Sequence, residues 1–253
     1  MRLEYVPLLH TQRDLYALPR GPERFQAYLR TMVDPNSRDL RVPLAGMNPM
    51  GKDHLPPFLD GLLAMDAEGV AAAAVGELAA ALEAEPGDYS VCLVVSDDLK
   101  GGWTNRYAAE FAYRFDQRAY TKRGWIAVTL WTSEAYTPAL VAQEVRVALH
   151  RSAYIAHHGQ AATLGDMLTQ EGYALAGGGA TEPRLEPAAL ERAVAILTPL
   201  LGRTEQPVLM AALFGDAGAV ELGYPPLWLP PRAGLALALH REQQARAGRP
   251  EHR

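Results

Sequence analysis

An α+β fold is predicted for this chain of 253 residues by three observations. Two short runs rich in β-branched residues lie near its middle, long stretches of helical periodicity flank them, and the composition supports a buried core. Hydrophobic residues make up 49% of the chain and charged residues 21%, the balance of an ordinary globular protein. The expected organisation is an N-terminal segment with one helix over 1–55, a core with a small sheet packed by helices over 56–180, and a helix-rich C-terminal extension packed on that core over 181–253.

Each element has a local cause. Pro22 after Gly21 sets φ for a first helical turn, and Phe25, Tyr28, Leu29 and Met32 recur at helical spacing, so a helix is predicted over 22–33. Residues 56–85 carry a second apolar pattern (Leu59, Leu62, Leu63, Met65, Val70, Val75, Leu78, Leu82), with Gly69 as a point of division and Pro86-Gly87 as the stop. The period then changes. Residues 89–95 (YSVCLVV) and 125–131 (WIAVTLW) read as buried strands, with Thr104 placed to cap a short helix over 105–115 between them. Thr137-Pro138 is an N-cap and N1 pair for a long helix to His158, which Gly159 can end in the left-handed region. Thr163 caps a further helix to 176, and residues 187–201 form another. Residues 208–214 fit a strand or a helix equally well. The segment 224–231 (YPPLWLPP) reads as a rigid connector packing Trp228 onto the body, before a last helix over 232–246.

Charge and cysteine usage narrow the function classes. With 24 Lys and Arg against 29 Asp and Glu, the formal net charge is −5, which leaves no basic excess for a phosphate backbone, so nucleic acid is not an expected partner. No run has the length and apolarity of a membrane span, and the single Cys92 lies in an apolar run, so a reducing cytoplasm is the expected compartment.

The helix over 137–158 carries the most chemistry. On a wheel of about 100° per residue, one side collects Val141, Val145, Ala148, Leu149, Ser152, Ile155 and Ala156 as a core stripe. The other collects Gln143, Glu144, Val147, His150, Arg151, Tyr154 and His158, a mixed polar and apolar face suited to a cleft or an interface. Gln143-Glu144-Val145-Arg146-Val147 stands where a zincin metallopeptidase would have H-E-x-x-H, and Glu171 in Thr169-Gln170-Glu171-Gly172 stands where gluzincins place a third ligand. In that order of strand, helix and Glu-bearing helix, the chain resembles a zincin over roughly residues 56–176.

The resemblance implies a zincin-like fold in which Glu144 would be the general base and Glu171 a zinc ligand. The departures from the motif matter as much. Gln143 is a weak neutral ligand and Val147 is none, so one carboxylate remains of a His₂Glu set, and no metal or cofactor is expected. The expected function is that of a catalytically inactive, zincin-like binding module for a peptide or protein. Its cleft candidates are Gln143, Val147, Arg151, Tyr154 and Glu171, joined by Trp103 and Asn105 from the loop after the first strand. An Arg or amide contact from Arg151 or Gln143 is expected to satisfy Glu171 in place of a metal. The alternative is a zinc-dependent hydrolase with Glu144, Glu171 and His150 as a non-standard ligand set.

Other constellations carry less. His150 and His157 lie about 10.5 Å apart along a helix axis, too far to share one ion unaided. Met47, Met50 and His54 have the softness for Cu(I) but read more simply as a structured turn. Asp97, Asp98, Lys100, Thr104 and Arg106 are placed to line a polar cleft after the first strand. Self-association through Trp228 is the remaining partner expectation.

Overall fold

The computed structural model describes residues 1–99 and 104–248. Along the chain it forms β1 (Arg2–Tyr5), α1 (Leu9–Ala17), α2 (Pro22–Met32), α3 (Leu55–Ala64), α4 (Ala67–Ala79), β2 (Asp88–Ser96), α5 (Arg106–Phe115), α6 (Arg118–Thr121) and β3 (Trp125–Trp131). There follow α7 (Pro138–His158), α8 (Leu164–Gly177), α9 (Pro187–Leu197), α10 (Gln206–Phe214), α11 (Asp216–Glu221) and α12 (Ala233–Ala247). The chain is thus α+β, with one three-stranded parallel sheet among the described residues. Two compact units are formed, Met1–Ala109 with Gln117–Val145, and Glu110–Asp116 with Arg146–Arg253. The division falls inside α5 and α7.

The sheet belongs to the first unit and has the order β1-β2-β3. β2 pairs with β1 from Arg2↔Asp88 to Tyr5↔Val91, and with β3 from Ser90↔Trp125 to Ser96↔Trp131. As the central strand, β2 is buried continuously from Val91 to Ser96, which explains its unbroken apolar run in place of alternation. β1 escapes the sequence pattern because it has only four residues (RLEY), two of them charged. The N-terminal segment therefore holds a strand and two helices before residue 55, where one helix is expected from sequence.

β1 stops opposite Val91, four residues before β2 reaches Val95. The fully buried side chain of Gln12 in α1 takes over the missing pairing. Its Nε2 donates to Val95 O (3.1 Å), and its Oε1 accepts from Val95 N (2.8 Å). One amide thus supplies the donor and the acceptor that a longer neighbouring strand would have offered. Beside it, Leu55, Leu59 and Leu62 of α3 and Ala67, Ala71, Ala74 and Val75 of α4 supply helical core stripes.

α3 and α4 are one predicted helix cut in two. The cut lies at Asp66, which adopts the left-handed region (φ 56°) and accepts Gly69 N as the N-cap of α4, so Gly69 sits inside the new first turn and not at the break. At the start of α5, Asn105 Oδ1 accepts Ala108 N (2.9 Å), the capping contact that sequence assigns to Thr104. α8 begins as expected, with a capping box between Thr163 and Asp166.

The second unit is helical. Leu209–Phe214 in α10 and Ala233–Leu239 in α12 are buried on every side, so neither shows an amphipathic period; this is why 208–214 reads ambiguously. α12 crosses α8 closely at Gly172, where an added Cβ would lie 2.6 Å from Ala238 O. Between α11 and α12, Leu229 is buried but Trp228 is 82% exposed with φ 62°, which reverses the expectation that this segment packs its tryptophan inward. Asp216 Oδ1 pins the turn by accepting Leu227 N (2.9 Å) and Leu229 N (3.1 Å). Among the described residues, no helix is long and apolar enough to cross a membrane.

Replacing Gln12 by Leu leaves two buried backbone groups of Val95 unpaired and is expected to destabilise the protein by about 2–4 kcal/mol. Chemical denaturation checks this; an unchanged midpoint would mean that Gln12 is dispensable for the sheet.

Candidate functional site

Parallel strands deliver their loops to one end of a sheet, and in open parallel sheets that end is the usual place for a ligand. Here Asp97 and Asp98 follow β2, while Thr132, Ser133 and Glu134 follow β3. The turn before α3 adds His54 and the start of α5 adds Arg106, all within the first unit.

The contacts form a connected chain. His54 Nε2 lies 2.8 Å from Asp97 Oδ1, and Asp97 is 1% exposed. A ring bonded to a buried carboxylate is fixed in orientation and tautomer. The Thr132 hydroxyl lies between Asp97 Oδ1 (3.0 Å) and Asp98 Oδ1 (3.2 Å), while Asp97 Oδ2 is buried without a hydrogen-bond partner. Arg106 donates to Asp98 Oδ2 (2.7 Å) and to Glu134 Oε1, with its guanidinium 4.3 Å from the centre of the Trp131 ring. Burial works to raise the Asp98 carboxyl, but Ser133 and Arg106 outweigh it and hold it below the usual range. Tyr136 donates to Glu134 Oε2 (2.9 Å); burial and that carboxylate push its phenol upward, so it stays protonated as a donor.

A second cluster lies in the other unit, around Glu171 of α8. Glu171 is completely buried. Arg151 of α7 donates Nε to its Oε1 (2.7 Å) and Nη2 to its Oε2 (3.0 Å), Arg114 of α5 donates to Oε2, and Gln170 Nε2 lies 3.2 Å from Oε1. Arg114 also donates to Glu110 Oε1, from Nε (2.9 Å) and Nη2 (2.7 Å). Arg232 grips both oxygens of Glu110 at 2.7 and 2.8 Å. The result is an alternating row, Arg232, Glu110, Arg114, Glu171, Arg151, with Tyr113 adding a ring 5.3 Å from the Arg151 guanidinium. Desolvation works to raise the Glu171 carboxyl, but Arg151 and Arg114 prevail and hold it below its ordinary value.

The residues singled out from sequence fall into separate places. Gln143 and Glu144, both half-buried, belong to the first unit; Val147, His150, Arg151, Tyr154 and Glu171 belong to the second. Val147 and Arg151 are each 1% exposed, so the helix face predicted to look into a cleft is packed at these positions, while Ala156 on the predicted core stripe is exposed. Val147 packs on Gly178 and His150 on Gly177, with Tyr173 stacking edge-on against His150 at 5.8 Å. Tyr154 stacks on Tyr173 (5.5 Å) and His158 (4.3 Å). Asn105 caps α5, and Trp103, like Lys100, lies outside the described residues. Met47 is buried in the core and His54 is turned to Asp97, so the methionine and histidine positions considered for copper serve the turn and the strand-end cluster.

As a zinc ligand Glu171 does not fit. Both of its oxygens accept from side-chain N–H groups, and a metal cation there would meet two guanidinium charges. Of the two residues expected to satisfy Glu171, Arg151 and Gln143, Arg151 makes the contact, whereas the sequence pattern does not mark Arg114, Glu110 and Arg232 as its companions; the i,i+4 spacing of Glu110 and Arg114 is the one local signal. His54, Thr132, Ser133 and Glu134 were also missed as parts of one cluster with Asp97 and Asp98. Comparison of the chain with known protein families, curated proteins and solved structures returns no match.

Replacing Arg151 by Met removes one partner of a buried pair and is expected to cost about 3 kcal/mol, read from the denaturation midpoint. An unchanged midpoint would show that Arg114 alone compensates Glu171. Because the folded Glu171 value lies below the ordinary 4.5, its contribution to stability is full above the ordinary value and is lost as pH falls through the lowered one. The slope of stability against pH below about 4.5 is therefore expected to be shallower in Glu171→Gln than in the wild type; equal slopes would dissociate this residue from acid unfolding.

Proposed function

We propose that the chain is a zincin-like protein without a working metal centre, which binds a peptide or protein segment rather than cleaving it. The observation that supports this reading is the pairing of Glu171 with Arg151 and Arg114. In the gluzincin pattern the carboxylate at this place needs a cation, and the cation is the catalytic zinc. Here guanidiniums meet the same electrostatic need. A guanidinium offers no open coordination position and stays protonated at neutral pH, so it can neither polarise a carbonyl as a Lewis acid nor generate a metal-bound hydroxide. Glu144 then has no activated water to deprotonate, and Val147, packed on Gly178, offers no ligand atom.

Binding remains open to such a chain, because the polar cluster at the strand ends does not depend on Glu171. The net charge of −5 disfavours a nucleic-acid partner, and one buried thiol, Cys92, suits a reducing cytoplasm. Protein purified without a histidine tag is expected to carry zinc well below one equivalent and to show no chelator-sensitive turnover of mixed peptide substrates. Near-stoichiometric zinc that disappears in Glu171→Ala, together with such turnover, would replace this reading with the zinc hydrolase.

A further inference from the structure

Beside the strand-end cluster runs a groove of about 550 Å³, within the range of sites that take small ligands. Its two walls differ in chemistry. One is apolar and comes from α3 and the residue after it, with Phe58, Leu62 and Met65; the other is the loop after β3, with Ser133, Glu134 and Tyr136. Phe58 meets Tyr136 edge to face at 6.3 Å. Among the described lining residues Glu134 is the one charged side chain, and it is 37% exposed.

The charge of Glu134 is only partly met. Its guanidinium partner, Arg106, is shared with the Asp98 carboxylate, so two negative charges are bonded to one positive charge. Its oxygens each accept one hydrogen bond, from Arg106 and from Tyr136, and a carboxylate has about four acceptor positions. The groove therefore offers free acceptors and incompletely balanced negative charge at Glu134, together with an apolar surface from Phe58, Leu62 and Met65.

From this we infer that the groove takes the free amino terminus of a peptide whose first side chain is apolar. The ammonium brings three donors and a positive charge to Glu134, while the side chain lies against Phe58, Leu62 and Met65. Such a residue carries its charge and its apolar group on one Cα, matching a groove in which a carboxylate adjoins an apolar surface. A lysine side chain places charge and stem in line and matches it less well. The inference rests on the peptide-binding reading above and names the ligand end that the groove selects.

The experiment is titration of the full-length protein, followed by ¹⁵N NMR, with Leu-Ala-Ala amide, its N-acetylated form, and acetyl-Ala-Lys-Ala amide. The free amino terminus is expected to bind and the two blocked peptides to bind at least about tenfold more weakly, the scale of one lost charge-assisted contact. Glu134→Gln is expected to weaken the first peptide about tenfold, Glu134→Asp less, and Phe58→Ala to weaken it with the charge intact; the spectrum of each variant reports whether it is folded. Binding should fade as pH rises through about 8, where an α-amino group loses its proton. Equal affinity for the acetylated peptide, tighter binding of the lysine peptide, or no loss in folded Glu134→Gln overturns the inference while leaving a peptide-binding protein. Failure of all three peptides overturns it as well, and zinc content and turnover then decide separately whether the chain is a peptidase.

Discussion

A carboxylate held at full burial needs positive charge at the same depth, and four segments of the second unit are tied together by that need at Glu171. Arg151 reaches it from α7 and Arg114 from α5, and Arg114 is itself held by Glu110, which Arg232 closes from the start of α12. Because each guanidinium binds through a planar fork, distance and orientation are fixed together, and four chain segments are tied to one geometry. Arg232 even adopts a left-handed backbone (φ 57°), a conformation costing roughly 1–2 kcal/mol for a residue with a Cβ, in the place from which it grips both Glu110 oxygens. Buried pairs of this kind add less to stability than their Coulomb energy suggests, but leaving one member alone is costly. The constraint is therefore on arrangement, and it also takes up both Glu171 oxygens that a metal would require.

The first unit follows from a different constraint, the parallel sheet. Three strands running the same way place the residues after β2 and β3 together, so polar side chains that would be scattered in an antiparallel meander meet at one end. Gln12 allows β1 to be short without leaving Val95 unpaired. With the strand ends fixed, Asp97 is buried and holds His54, while Asp98 and Glu134 divide Arg106 between them. The groove against α3 owes its acidic wall to that division, since a second arginine would have neutralised it.

Much of the local architecture was legible. β3 spans the seven residues of WIAVTLW, and α7 begins at Pro138 and ends at His158, because proline at N1, Thr137 before it and Gly159 after it act within a turn of themselves. Thr163 and Asp166 likewise announce α8. Less was legible where burial is complete. The apolar run of α10 carries no period, and β1 is too short and too charged to declare itself outside its sheet.

The sequence by itself determined the class of fold and the strands and capped helices whose signals lie within about four residues. It also narrowed the partner of Glu171 to Arg151 or Gln143, of which the structure takes Arg151. Tertiary structure alone decided that Arg114, 57 residues away, would share that carboxylate, that Arg232 would cross 122 residues to Glu110, and that His54 would find Asp97 across 43. Capping and periodicity act between neighbours along the chain and leave a mark in the sequence. Charge pairing at burial acts between neighbours in space, and any of 24 lysines and arginines could have answered Glu171 until packing selected two of them.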